Sequence, residues 1–222
     1  MGKLLLARHG ETVFNVEKRL QGRLDVPLSD VGRRQALRLA EYLHQNSRRL
    51  MAGGMLRRIV SSPQRRAMDT ARAVADAFGM EVVTDDRLVE IDVGGFAGLT
   101  WPEARETAPD FFAALQADAV YTRYPGGESL ADVYRRASSF LDEAEAGLAD
   151  GATVLVVAHA VVLKCMLCRA LRVEVGRCRR IALGNASVSS LSIDGGVAVV
   201  DFINDTHFLE EAMAEWAPAP GA

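Results

Sequence analysis

The sequence holds no apolar stretch approaching the length of a membrane span, no excess of basic residues and no even set of cysteines. A membrane-spanning helix needs about 20 apolar residues in succession. The N-terminal run Leu4-Leu5-Leu6-Ala7 is far shorter, and it is also too short for the core of a secretory signal. Met1-Gly2 suits N-myristoylation only when Ser or Thr stands at position 6, which here is Leu6. A net charge of −3 lacks the basic stripe of a nucleic-acid binder. Cys165, Cys168 and Cys178 are odd in number and outline no disulfide framework. Cys165-Met166-Leu167-Cys168 has neither a second cysteine pair nor a His pair nearby, so the thiols are expected as buried small hydrophobes rather than metal ligands. There is no Gly-x-Ser-x-Gly elbow and no Gly-x-x-x-x-Gly-Lys-Ser/Thr loop, which removes serine hydrolases and P-loop enzymes. The absences leave a cytoplasmic globular protein without nucleic acid or membrane as partner.

What is present is an alternation of strand-like and helix-like segments over 222 residues, 49% of them hydrophobic. Lys3 to Ala7, Ile59-Val60, Glu81 to Thr84 and Thr153 to Ala158 read as strands. Helices are expected from Ser29-Asp30, around Ala67 to Phe78 with Gly79 as the stop, from Leu130 to Leu148 and from Val161 to Leu171, with short helical pieces near Trp101 and Phe112. Ser187 to Ile193 and Val197 to Phe202 flank Asp194-Gly195-Gly196, a strong hairpin signal. Neither repeats nor a linker interrupt this order. The expected fold is α/β: a three-layer sandwich whose mostly parallel central sheet is flanked by helices and carries an antiparallel edge strand near the C-terminus. Residues 1–209 are expected as a single domain and residues 210–222, with Ala217-Pro218-Ala219-Pro220, as a frayed tail.

The first strand runs directly into Arg8-His9-Gly10-Glu11-Thr12. In open α/β sheets the C-terminal edge of the strands is where ligands bind. Arg presents a planar fork of donors suited to phosphate or carboxylate, His serves as nucleophile, acid or base near neutral pH, and Gly10 is expected to let the backbone pass close to a ligand. Arg66 follows the second strand, Glu90 the third and His159 the fourth, so all can meet at one edge. Two Arg and two His gathered there are costly unless something anionic compensates them, and a tetrahedral phosphoryl group would do so. His44 and His207 have few motif partners and are expected as an exposed helix-end residue and a tail residue.

Leu6-Ala7-Arg8-His9-Gly10-Glu11-Thr12 with Asn15, Gln21-Gly22 and Asp25-Val26-Pro27-Leu28-Ser29 resembles the opening of the histidine phosphatase superfamily, the phosphoglycerate mutase-like proteins. Ser61-Ser62-Pro63-Gln64-Arg65-Arg66 through Ala71 is similar to its second Arg motif, Leu88 to Gly94 to its acid-bearing segment, and Val156-Val157-Ala158-His159 to its second His, with Pro125-Gly126-Gly127-Glu128-Ser129 also matching. The resemblance implies that His9 accepts the phosphoryl group, that Arg8, Arg66 and His159 clamp its oxygens, and that Glu90 handles the proton of the leaving oxygen. Thr12, Asn15, Gln21, Gly22 and Ala160 follow as substrate-binding positions, Ala160 standing where the family usually has Gly. Arg65 is read as a solvated helix entry. No cofactor and no metal are implied, and the partner is a small phosphorylated metabolite, with a homodimer left open. Gly95-Phe96-Ala97-Gly98-Leu99-Thr100-Trp101 lacks the Lys of the mutase string and resembles the phosphatase branch. A cofactor-dependent phosphoglycerate mutase and a non-catalytic phospho-ligand binder are the alternatives.

Overall fold

The fold rests on a six-stranded sheet whose buried centre is the first strand, seen in a computed structural model that describes residues 1–51, 53, 55–148 and 151–209. The strands are β1 (Gly2–Arg8), β2 (Leu56–Ser61), β3 (Val82–Thr84), β4 (Thr153–Ala158), β5 (Val188–Asp194) and β6 (Val197–Asp205), in the spatial order β3-β2-β4-β1-β5-β6. β3, β2, β4 and β1 pair in parallel, and β5 and β6 complete the sheet antiparallel, as the sequence pattern predicts. The hairpin turn between β5 and β6 has Gly195 and Gly196 both at positive φ, the backbone of a tight turn that suits a twisted two-strand ribbon. The predicted tail, residues 210–222, lies outside the described residues.

Strand β1 is apolar without alternation because helices cover both its faces. Leu4 and Leu6 join Val156 and Ala158 in one core with residues of α7 (Leu130–Gly147) and α8 (Ala160–Ala170). Leu5 and Ala7 join Leu155 and Val157 in the other core, against α2 (Asp30–Gln45) and α4 (Arg65–Phe78). Each fully buried Leu contributes roughly 1.5–3 kcal/mol of burial free energy, so β1 and β4 anchor both layers at once. Cys165, Cys168 and Cys178 are buried and unbridged, as the sequence implies.

The remaining helices are α1 (Val13–Val16), α3 (Ser47–Leu50), α5 (Trp101–Thr107) and α6 (Pro109–Ala117). Sequence pattern reveals neither α1 nor α3, each of four residues and too short for a periodicity to register. The 3₁₀ turns Asp86–Leu88, Gly94–Phe96 and Val175–Arg180 lie in the connections between described elements. No helix among the described residues is long and apolar enough to cross a membrane.

Gly10 has a packing role that the sequence does not announce. A Cβ there would meet the Gly32 carbonyl oxygen at 2.5 Å, and a Cβ on Gly32 would meet the Glu11 carbonyl oxygen at 1.9 Å. The two glycines let the loop after β1 lie backbone to backbone on the first turn of α2, and Ser29 caps that helix while donating to Glu11 Oε1 at 2.8 Å. Packing against α2 is what the structure requires of Gly10. Gly32→Ala is therefore expected to destabilise the fold by about 1–3 kcal/mol or more, the usual cost of overpacking. By contrast Gly147→Ala, where nothing lies within 4 Å, is expected to be neutral or to add about 0.5–1 kcal/mol. Urea unfolding of the two variants measures the difference, and equal stabilities would contradict the packing account.

Candidate active site

Strand register assembles the site. Arg8 on β1 pairs with Ala158 on β4, so the next residue along each parallel strand, His9 and His159, emerges at the same level of the sheet edge. Their ring centroids stand 5.2 Å apart. Ser61 on β2 pairs with Val157, which brings Ser62 beside His159 and leads the chain into α4 with Arg66 in its first turn. Glu90 arrives from the loop after β3 and the 3₁₀ turn Asp86–Leu88.

His9 is buried, and its Nδ1 lies 2.7 Å from its neighbour's carbonyl, Gly10 O. A carbonyl only accepts, so Nδ1 carries the proton and Nε2 keeps its lone pair. Burial, reinforced by the charges of Arg8 and Arg66, holds the His9 pKa well below the ordinary 6.5. The backbone is pinned as firmly: His9 N–H donates to Ala158 O, while Ala186 N–H and Asn185 Nδ2 donate to His9 O. Gly10 N–H donates to Thr70 Oγ1 at 3.0 Å.

His159 is fully buried, and its Nε2 meets Ser62 Oγ at 2.8 Å. The buried Ser62 hydroxyl has no other acceptor among the described residues, so its proton is directed at His159 Nε2, and the imidazole proton then sits on Nδ1. That Nδ1 has no protein partner. Burial, followed by the charge of Arg66, depresses the His159 pKa in the same way.

The two guanidinium groups are fixed by carbonyls rather than by carboxylates. Arg66, 1% exposed, donates to Leu24 O at 2.8 Å and Gly22 O at 2.9 Å. Arg8 donates to Leu183 O at 2.7 Å. The Nε of each is buried without a partner. Burial pushes the Arg66 pKa down to about 10 and lowers that of Arg8, with the charge of Glu90 opposing both shifts. Both stay cationic at neutral pH. Arg8 Nε, Arg66 Nε and His159 Nδ1 are thus three buried donors without acceptors at one sheet edge, and each such group is costly unless a ligand meets it.

Glu90 is held by backbone. Ile91 N–H donates to Oε1 at 2.8 Å and Val161 N–H, in the first turn of α8, to Oε2 at 3.4 Å. Gln64, at the N-cap of α4, accepts from Glu90 N–H at 2.7 Å and donates to Gly22 O at 3.0 Å, so a single amide spaces the acid from the Arg66 loop. The other nearby carboxylates are occupied. Glu128 pairs with Arg136 and accepts from Asp92 N–H, Asp92 accepts from Gly94 N–H, and Glu11 takes the Ser29 hydroxyl.

Of the further sequence-derived positions, Thr12 and Asn15 form the capping box of α1, and Asn15 Oδ1 also accepts from Asn185. Gly22, at φ +49°, supplies the carbonyl that orients Arg66 and Gln64. Gln21 carries a buried Oε1 without a partner. Ala160 opens α8, and its φ is not positive, so the methyl group brings no backbone strain. Arg65 is solvent-facing and pairs with Asp69, as expected of a helix entry. His44 is an exposed residue near the end of α2, and His207 is exposed and pairs with Asp205 away from the site. Sequence reading assigns no role to Ser62, Gln64, Thr70 or Asn185. Ser62 and Gln64 were reachable, since they sit between a strand end and Arg66; Thr70 and Asn185 act through contacts 60 and 176 positions apart.

Both imidazoles bind protons more weakly folded than unfolded. Below pH 6.5 the unfolded chain takes up protons that the native site refuses, so stability falls with pH, by up to about 1.4 kcal/mol per pH unit for each histidine. Urea unfolding between about pH 7 and pH 5 is expected to show this slope in the wild type and a much shallower one in the double variant His9→Asn/His159→Asn. A flat wild-type profile would contradict the neutral, buried pair.

Comparison with known proteins agrees with this geometry. The chain matches the histidine phosphatase superfamily (branch 1) over residues 4–206. It is 40% identical over 208 residues to a bifunctional protein of Mycobacterium tuberculosis, covering 93% of this chain but 55% of the relative, so it spans about half the length of that protein. It is 35% identical to phosphoserine phosphatase 1 of Hydrogenobacter thermophilus, over 97% of this chain and 98% of that one. Among solved structures, a mycobacterial glucosyl-3-phosphoglycerate phosphatase in complex with VO3 superposes with a TM-score of 0.80 at 33% identity, covering 93% of this chain and 100% of the other. The chain belongs to the histidine phosphatase superfamily.

Proposed function

We propose that the protein is a metal-independent phosphomonoesterase that works through a phosphohistidine on His9. The observation that carries this reading is the Nδ1 contact of His9 with Gly10 O, which leaves an unprotonated Nε2 beside three unsatisfied buried donors. In the first step Nε2 attacks phosphorus, the bond from phosphorus to the alcohol oxygen breaks, and Glu90 supplies the proton that the departing oxygen needs. Arg8, Arg66 and His159 Nδ1 take the equatorial oxygens, where charge must be held in place during transfer. In the second step Glu90 accepts a proton from water as its oxygen attacks phosphorus, and Nε2 leaves with its electron pair. Two fixed guanidinium groups carry the electrostatic load that a metal ion carries elsewhere. The phosphatase names of two of the relatives support hydrolysis over mutase chemistry, as does the segment Gly95 to Trp101, which lacks the mutase Lys.

Rapid quenching with labelled p-nitrophenyl phosphate in the presence of EDTA tests the reading. The wild type is expected to turn over and to give an acid-labile, protein-bound phosphate. His9→Ala is expected to lose both label and activity, since no adjacent side chain replaces an imidazole. Glu90→Gln is expected to accumulate the label, because p-nitrophenolate departs without a proton while the attack of water still needs a base; the loss of steady-state rate should reach roughly 10²–10⁴-fold. Retention of a substantial fraction of activity in His9→Ala, or dependence of the wild type on added Mg²⁺ or Zn²⁺, would overturn the mechanism.

A further inference from the structure

A cavity of about 180 Å³ opens beside Glu90. The link is covalent and close: Ile91 and Val161, which line it, are the two residues whose backbone N–H groups hold the Glu90 carboxylate. Its buried wall is apolar, formed by Ile91, Leu115, Tyr124 and Leu130, each no more than 8% exposed. Two cations interrupt that wall. Lys164 projects from α8, and Arg179 stands on the 3₁₀ turn Val175–Arg180 at the exposed rim. Neither has a carboxylate partner among the described residues, and no carboxylate lines the cavity. Many other arginines of the chain, among them Arg19, Arg23, Arg72, Arg87, Arg123 and Arg136, have acidic partners. Both cations act on the Cys178 thiol, where they oppose the upward push of burial on its pKa. The buried Tyr124 hydroxyl, raised mainly by burial, feels Arg179 and Glu90 with opposite sign.

We infer that this cavity receives the leaving alcohol of the substrate, and that this alcohol has an apolar body and carries a second anionic group, such as a carboxylate, that meets Lys164 and Arg179. The inference rests on the phosphomonoesterase reading, which makes Glu90 the group that protonates the leaving oxygen and so fixes the side on which the alcohol lies. Size sets the scale: an apolar cavity of about 150 Å³ holds a benzene ring, so the space beside Glu90 fits a ring-sized or smaller alcohol. Apolar walls with a few convergent polar groups are the usual construction of a small-molecule site, the polar groups setting orientation and selectivity. Partly exposed charges contribute modestly, so the cations are selectivity determinants rather than the main source of affinity.

Phenyl phosphate, 4-carboxyphenyl phosphate and 4-(aminomethyl)phenyl phosphate present no charge, a negative charge and a positive charge to this cavity on a shared aryl ester core. The wild type is expected to favour the carboxylate over the unsubstituted ester by roughly tenfold in kcat/KM, mostly through KM. In Lys164→Gln/Arg179→Gln this preference should fall to near unity, and in Arg179→Glu, at an exposed position that tolerates substitution, it should invert toward the aminomethyl ester. A structural role for the two cations would lower all three esters together and leave their ratios unmoved, which overturns the inference. A wild type that hydrolyses phenyl phosphate without discriminating among the three also overturns it while leaving the phosphatase reading intact. A wild type that hydrolyses none of them fails the phosphatase reading itself, and the inference falls with it.

Discussion

The buried positive charge of Arg8 and Arg66 constrains every other group at the sheet edge. Arg66 lies almost wholly out of water, and its terminal nitrogens rest on two backbone carbonyls instead of a carboxylate. Carbonyl dipoles hold a guanidinium in place without cancelling its charge, so the site retains a positive field that a bound dianion would satisfy. The same field keeps the imidazoles neutral: burial comes first and cationic neighbours second in depressing the pKa of His9 and His159. A site that pairs its arginines internally would lose that field and its share of the depression. Glu90 is the one carboxylate that acts on both arginines, and it is held off by its own backbone donors and by the Gln64 amide.

Precision comes from the sheet rather than from the loops. Parallel pairing of β1 with β4 and β4 with β2 places His9, His159 and Ser62 at one height, and two apolar layers lock those strands from both sides. The loops then add short tethers of fixed length. Gly22, at positive φ, turns its carbonyl toward Arg66 and Gln64, and Thr70 reaches from α4 to the Gly10 N–H. Groups placed this way are set by backbone geometry, which holds the buried guanidinium groups of Arg8 and Arg66 on carbonyls without a direct ion pair.

Much of this was legible in the chain. Strand β1 announces itself by an unbroken apolar run, the hairpin by Asp194-Gly195-Gly196, and the four site-bearing positions by standing at or beyond strand ends. Those signals are local, and local signals survive into the fold. What the sequence hid was long-range. The packing of Gly10 on the Gly32 backbone, 22 positions on, has no local signal. The roles of Thr70 and Asn185 depend on contacts across the sheet edge, and the cavity beside Glu90 is assembled from α5, α6, α7, α8 and the 3₁₀ turn Val175–Arg180, segments whose approach no periodicity encodes. Ser62 is an intermediate case: its position after a parallel strand was readable, but its proton's direction toward His159 required the distance.

The central claim is that His9 is a neutral imidazole, protonated on Nδ1 and carrying a free Nε2, poised within a cationic site. Nitrogen-15 chemical shifts of selectively labelled histidine, assigned through His9→Asn and followed downward from about pH 8, report this directly. The account predicts that His9 keeps an unprotonated Nε2 and a protonated Nδ1 well below the ordinary histidine value of 6.5. An imidazolium with a pKa at or above that value, or a neutral ring with its proton on Nε2, would contradict it.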